Sequence, residues 1–206
     1  VMPKLGMEEL RRGQLIEATI ASIHEDGLAA TTLQRIGRRA GLSPGLVAHY
    51  VDDKTGLIEA TMLRIANELH AATVEKLAAA RTPLERLEAI VEANLGPLQL
   101  RPELTTAWLA FWALVPQSPR LARIQRINEA RLQSNLTHAL KDLVPQREAA
   151  ALAAGLSALI DGLWLRAAHA HAYGKGDGLS SAAARDIARN YIAKSLGRDS
   201  PHELTA

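Results

Sequence analysis

Gly41 is the residue that most constrains how this chain folds. Before it, Leu33, Ile36 and Ala40 share one helical face, while Gln34, Arg35, Arg38 and Arg39 occupy the others. Glycine enters left-handed backbone conformations without steric cost, so the chain is free to turn sharply there. Ser43 then offers a hydroxyl N-cap, and Pro44 suits a first helical position, where no backbone N–H is needed. A second helix is predicted over 44–51. The two form a helix-turn-helix over about 31–50, and its second helix is too short to be built for core packing. A short exposed helix presented in this way fits the DNA major groove.

Local charge supports that use. Between Leu33 and Tyr50 there are three arginines and no Asp or Glu, whereas the whole chain balances 24 basic against 22 acidic residues. A balanced total argues against a general polyanion-coating protein, and a basic patch confined to one motif argues for targeted phosphate contact. The same pattern also fits an ordinary helical hairpin with a solvated basic face.

The 206 residues suit one large or two modest domains. Hydrophobic residues make up 48% of them, yet only seven are aromatic, so Ala and Leu fill the core and an all-α fold is expected. Cys is absent, which removes disulfides, thiolate metal sites and a cysteine nucleophile. No Gly-x-Ser-x-Gly, His-Glu-x-x-His or phosphate-loop pattern occurs, and His169 and His171 point different ways on a helix, so no enzyme is expected. No cofactor and no metal site are implied. The first residues lack the apolar core of a signal peptide, and the longest apolar run, Ala149 to Ile160, is too short to span a bilayer. A cytoplasmic protein without membrane association is the expectation.

Along the chain, the 3.6-residue rhythm predicts helices over 8–25, 33–40, 44–51, 54–80, 83–95, 103–114, 119–143, 146–173 and 180–196, nine in all. Asp26-Gly27 closes the first, Thr31 or Thr32 caps the second, and Asp52 or Asp53 caps the fourth. Residues 174–178 read as a flexible loop and 198–206 as a disordered tail.

Residues 8–68 resemble the DNA-binding domain of the TetR (tetracycline-repressor) family. The likeness rests on Ala18, Ile23, Gly27, Thr31, Thr32, the run from Ile36 to Ser43 (IGRRAGLS), Gly45, His49, Tyr50, Lys54 and Leu57. Gly37 stands where alanine is usual, at roughly 1 kcal/mol of helix propensity. Val51 replaces a common phenylalanine. Residues 3–7 (PKLGM), Arg11, Arg12, 57–62 (LIEATM), 107–112 (AWLAFW), 134–136 (SNL) and 158–168 (ALIDGLWLRAA) are similar to one subgroup, the choline-responsive repressors of glycine betaine synthesis. The resemblance implies a nine- or ten-helix repressor, with residues 69–197 binding ligand and dimerising.

Position in the motif distributes the DNA contacts. Arg11, Arg12 and Lys54 are expected on phosphates, with Thr32 adding a hydroxyl. Gln34 and Arg35 lie close to the groove on the supporting helix. Ser43, Gly45, Leu46, His49 and Tyr50 line the reading helix, where Gly45 admits the backbone to the DNA and Leu46 meets a thymine methyl. Tyr50 suits a phosphate, and His49 either reads the groove or only packs or meets a phosphate.

Trp108, Phe111 and Trp112 share one face of a short helix at spacings i, i+3, i+4, and Trp164 follows Asp161 on another. Aromatic faces hold a quaternary ammonium by cation–π attraction, Asp161 offers a counter-charge and Asn94 a hydrogen bond. From its pattern alone the stripe fits core packing better than a ligand cage, and Asp161 equally fits a pair with Arg166 or with a partner subunit. The subgroup implies choline as inducer, an inverted-repeat DNA operator and a homodimer whose reading helices lie one DNA turn, roughly 34–36 Å, apart. Movement of the fourth helix on ligand binding is the expected route of control. A regulator of an efflux or catabolic operon, answering to another small apolar or cationic molecule, is the alternative.

Overall fold

Side-chain caps and prolines set where most helices begin. The computed structural model describes residues 4–172 and 179–198, and in them the fold is all-α: nine helices, one short 3₁₀ turn and no strand. These are α1 (Lys4–Ala30), α2 (Leu33–Arg39), α3 (Pro44–Tyr50), α4 (Lys54–Ala79), α5 (Pro83–Leu95), α6 (Pro102–Leu114), α7 (Pro119–Leu140), α8 (Gln146–Ala172) and α9 (Ser181–Ser195). The loop expected at 174–178 lies outside the described residues, as does all but the first residue of the expected tail. Helix α1 starts four residues earlier than its apolar rhythm indicates and runs to Ala30, but it breaks at Gly27 (φ 76°, ψ 159°), beside the predicted stop. Thr32, Ser43, Thr82 and Ser180 cap the following helices as their hydroxyls accept a backbone N–H. For α4 it is Asp53 whose carboxylate accepts the Gly56 N–H at 2.6 Å.

The chain divides into two compact units. One comprises the residues up to Ile65 together with Thr106–Ile124; the other comprises Ala66–Thr105 and the chain from Gln125 onward. In the first, α1, α2 and α3 close over a core of Leu15, Ala18, Ile36, Leu42, Val47 and Leu57, with Leu46, Tyr50 and Val51 packed at its margin. Most of α6 and the start of α7 belong to the same unit. Thr106 Oγ1 meets His24 Nδ1 of α1 at 3.2 Å. Ser118 donates to Glu59 of α4 at 2.9 Å, and Arg120 pairs with the same carboxylate at 3.2 Å.

In the second unit α5, α8 and α9 pack together. Small residues let α8 and α9 approach closely: a Cβ on Gly155 would lie 2.3 Å from the Tyr191 hydroxyl. Arg185 pairs with Glu92, and Arg189 Nε bonds Glu88 at 3.0 Å, fixing α9 on α5. Ser181 donates to the Leu95 carbonyl at 2.6 Å and so satisfies one of the open carbonyls at the end of α5.

The length of α8 corrects one expectation. The apolar run counted from sequence is short, but the segment Gln146–His169 is long and apolar enough by length and composition to cross a membrane. It is interrupted by Asp161, and only a third of its apolar window is buried within the chain. Ala151, Ala154, Ala158, Asp161 and Leu165 make an exposed stripe along it at spacings of three and four.

Candidate nucleic-acid interface and ligand residues

The reading hairpin is built from local signals. Thr32 Oγ1 accepts the Arg35 N–H at 3.2 Å, and Gly41 (φ 68°) turns the chain so that Leu42 N–H reaches the Gly37 carbonyl at 2.9 Å. Ser43 Oγ then accepts the Leu46 N–H at 3.4 Å. Thr31, the other candidate cap, is buried and donates instead to the Gly27 carbonyl at 2.8 Å. Gly37 has a packing reason that its helix propensity hides: a Cβ there would lie 2.7 Å from Val47 Cγ2, so the bare backbone lets α3 seat against α2.

Ser43, the N-cap of α3, and Gly45 and His49 on it are exposed, while Leu46 and Tyr50 are half-buried against the small core. Leu46 and Tyr50 therefore support the reading helix as well as lying on it. His49 meets the edge of Tyr50, ring centroids 5.0 Å apart. A Cβ added to Gly45 meets nothing within 4 Å, so the fold does not require a glycine there. Thr32 and Gln34 are exposed on the α2 side. Arg11 donates to Gln14 at 2.9 Å and Arg12 to Glu8 at 3.2 Å, both along α1. Lys54 donates to the Leu28 carbonyl at 2.8 Å, which ties the start of α4 to the end of α1.

The arginines of α2 are less free than their sequence suggests. Arg35 pairs with Asp26 at 3.3 Å, and Arg39 donates to both oxygens of Glu25, at 2.7 and 2.5 Å. The hydrogen bond from Arg39 holds the Glu25 carboxyl below its ordinary range, so Glu25 stays charged. Of the three, only Arg38 is without an ion pair among the described residues. Spacing along the chain could not reveal these partners, because the turn after Gly27 is what brings α1 and α2 together.

The six residues read as ligand contacts divide between the units. Trp108, Phe111 and Trp112 lie on the part of α6 that joins the DNA-reading unit. Trp108 is tilted 46° to Trp112 with centroids 6.2 Å apart, and Phe111 meets Trp108 edge-on at 6.4 Å. Phe111 has no accessible surface and packs as core, Trp108 is buried and Trp112 is half-buried. In the other unit Trp164 donates its indole N–H to the Asn94 carbonyl at 3.0 Å, and Asn94 gives its side-chain amide to Ile90 at 2.8 Å. Asn94 also borders a small crevice with His70, Asn128, Arg131 and Asn135, residues that sequence patterns did not single out. Asp161 is exposed on the α8 stripe and makes no pair with Arg166. Partial burial takes its carboxyl group out of water, and this desolvation together with the negative charge of Glu129 pushes its pKa up to about 6.

Two family profiles match this chain: bacterial regulatory proteins of the tetR family over residues 15–61, and the C-terminal part of the BetI-type transcriptional repressor over residues 83–197. The chain is 47% identical over 196 residues to the HTH-type transcriptional regulator BetI of Burkholderia mallei, covering 95% of this chain and 98% of that one. A putative transcriptional regulator from Pseudomonas aeruginosa PAO1 shares the fold with a TM-score of 0.76 and 26% identity, over 95% of this chain and 94% of that one. Another, from Saccharomonospora viridis and solved in complex with choline, matches with a TM-score of 0.73 and 21% identity, over 88% and 94% of the two chains. The chain belongs to the TetR family in its BetI type and is a DNA-binding transcriptional repressor, not an enzyme.

Proposed function

We propose that this repressor answers to choline and controls the uptake of choline and its oxidation to glycine betaine. Choline carries a trimethylammonium group that donates no N–H, so aromatic faces rather than hydrogen bonds must hold it, at roughly 0.5–2 kcal/mol per ring. The observation that most supports this reading is the tilted pair Trp108 and Trp112, 6.2 Å apart on a helix grouped with the DNA-reading helices. Trp112 keeps accessible surface, and Phe111 backs the pair as core. The likeness to regulators named BetI, and to a choline-bound neighbour of the same fold, points the same way.

On the DNA side the proposal assigns Arg11, Arg12, Thr32, Arg35 and Lys54 to phosphates, and Gln34, Ser43, Gly45, Leu46, His49 and Tyr50 to the groove and its edges. Two copies reading an inverted repeat would pair through α8 and α9, where small and apolar side chains (Ala154, Ala158, Leu165 and Ile187 among them) lie exposed in the single chain. Asp161 lies on that stripe, which favours a place at the subunit contact over a counter-charge for the ligand.

Calorimetric titration with choline and with its neutral carbon isostere, 3,3-dimethylbutanol, tests the inducer. Choline is expected to bind, to raise the melting temperature and to quench tryptophan fluorescence, and the isostere to bind at least tenfold more weakly. Equal binding of the two would remove the cation from the reading. No heat and no stabilisation at millimolar choline would remove choline itself.

A further inference from the structure

The guanidinium groups of α2 are held by two carboxylates that arrive from α1. Glu25 takes both nitrogens of the Arg39 fork, Asp26 lies 3.3 Å from Arg35 and 4.0 Å from Arg39, and the turn at Gly27 follows directly. Asp26, Arg35, Arg38 and Arg39 line an open hollow of about 390 Å³, ample for a phosphate group. A planar guanidinium fork donates to carboxylate and to phosphate oxygens in the same two-pronged geometry. These pairs contribute little to the fold. The Glu25 and Arg35 side chains are about half exposed and those of Asp26 and Arg39 about 30% exposed, ion pairs at the surface add little stability, and α1 and α2 are already joined through Leu15, Ala18 and Ile36.

We infer that Glu25 and Asp26 are stand-ins for DNA phosphates: they keep Arg35 and Arg39 occupied until a backbone phosphate enters the hollow beside Arg38 and displaces them. The inference rests on the assignment of α2–α3 as the DNA reader and adds Arg38 and Arg39 to its phosphate contacts. It also gives the pairs a purpose in specificity. Operator DNA seats α3 in the groove and brings a phosphate to the hollow, whereas a random sequence meets arginines already neutralised. Non-specific binding, which is almost wholly electrostatic, is thereby suppressed more than operator binding.

The test uses the full chain and a short random-sequence duplex, with binding followed by fluorescence anisotropy between about 50 and 200 mM salt. The variant Glu25→Gln/Asp26→Asn is expected to bind this duplex at least tenfold more tightly at the low-salt end. Each freed arginine steepens the slope of log affinity against log salt by about 0.9, so about 1.8 for both. Adding Arg39→Ala should return about half of that steepening. Asp52→Asn serves as the control, because it removes an exposed negative charge near α3 without freeing an arginine, and it should leave the slope unchanged. An unchanged slope in the double variant, or an equal effect from Asp52→Asn, would overturn the inference. So would a lower melting temperature with weaker binding, which would make the pairs structural. If the double variant does not fold, Asp26→Asn alone carries the test, with an expected steepening of about 0.9.

Discussion

The reading hairpin and the α8–α9 pair solve opposite surface problems. The hairpin is two seven-residue helices over a six-residue core, and it turns hydroxyls, a bare glycine and arginines outward. Helix α8 has 27 residues, meets α9 where Gly155 faces Tyr191, and turns alanine and leucine outward. The first surface suits a hydrated polyanion that is approached and left many times. The second suits a copy of the same face, which stays dry once covered. On the proposed pairing one chain carries two kinds of adhesion, and substitutions can separate them.

The largest expected effect lies on α8. Ala158→Arg places a charge in the middle of the proposed subunit contact, so sedimentation should show a monomer, and operator affinity should fall by about 100-fold or more as two linked half-sites become one. Binding to random DNA should change far less. A dimer that persists in the variant would move the contact elsewhere.

Lys54→Ala comes next. Its ammonium is held by the Leu28 carbonyl, and the proposal also gives it a phosphate. Affinity for every sequence should drop, by roughly tenfold, with the salt slope falling by about 1. A lower melting temperature with an unchanged slope would show that the lysine serves only to tie α4 to α1.

Two glycines of the hairpin separate stability from reading. Gly45→Ala is expected to stabilise the protein by about 0.5–1 kcal/mol through helix propensity, since its Cβ meets nothing, while weakening operator binding. Gly37→Ala gains the same propensity but drives a methyl into Val47, at about 1–3 kcal/mol, so it should be neutral to destabilising. Thermal melts beside operator titrations read both. A Gly45→Ala protein with full operator affinity would take the close backbone approach out of the account.

The smallest effect is a pH dependence. The Asp161 carboxyl is raised from 3.8 to about 6, so the folded chain holds its proton more tightly than the unfolded one does. The contribution of this carboxyl is therefore full below about pH 4 and is lost as pH rises towards 6. The whole shift is worth about 3 kcal/mol, and the exposure of this residue reduces that to about 1 kcal/mol. Asp161→Asn should match the parent at pH 4 and exceed it at pH 7.5. Parallel melting curves at both would show that the carboxyl is not perturbed.

What was legible in the sequence follows from how local each signal is. The cap at Ser43, the proline beside it and the reversal at Gly41 act within a few residues, so α2 and α3 end within one residue of where the pattern puts them. Helix α1 begins at Lys4, ahead of Glu8, because the apolar rhythm counted from Leu10 marks a helix's face and not its first turn. Gly37 is misjudged from propensity alone, since its value lies in contact with Val47 on the next helix. The partners of Arg35 and Arg39 depend on the angle at which the chain leaves Gly27, which no spacing encodes. Trp108, Phe111 and Trp112 form a stripe in the sequence, but a stripe does not say which ring is core; burial singles out Phe111.

Choline-controlled operator release is the central claim, and one titration addresses it directly. Operator-duplex anisotropy would be measured with increasing choline at fixed salt. The account predicts that affinity falls by about 5–150-fold at saturating ligand, a coupling of about 1–3 kcal/mol, and that Trp112→Ala abolishes the response while leaving choline-free affinity intact. Operator affinity that is unchanged at choline concentrations saturating the calorimetric titration would contradict it.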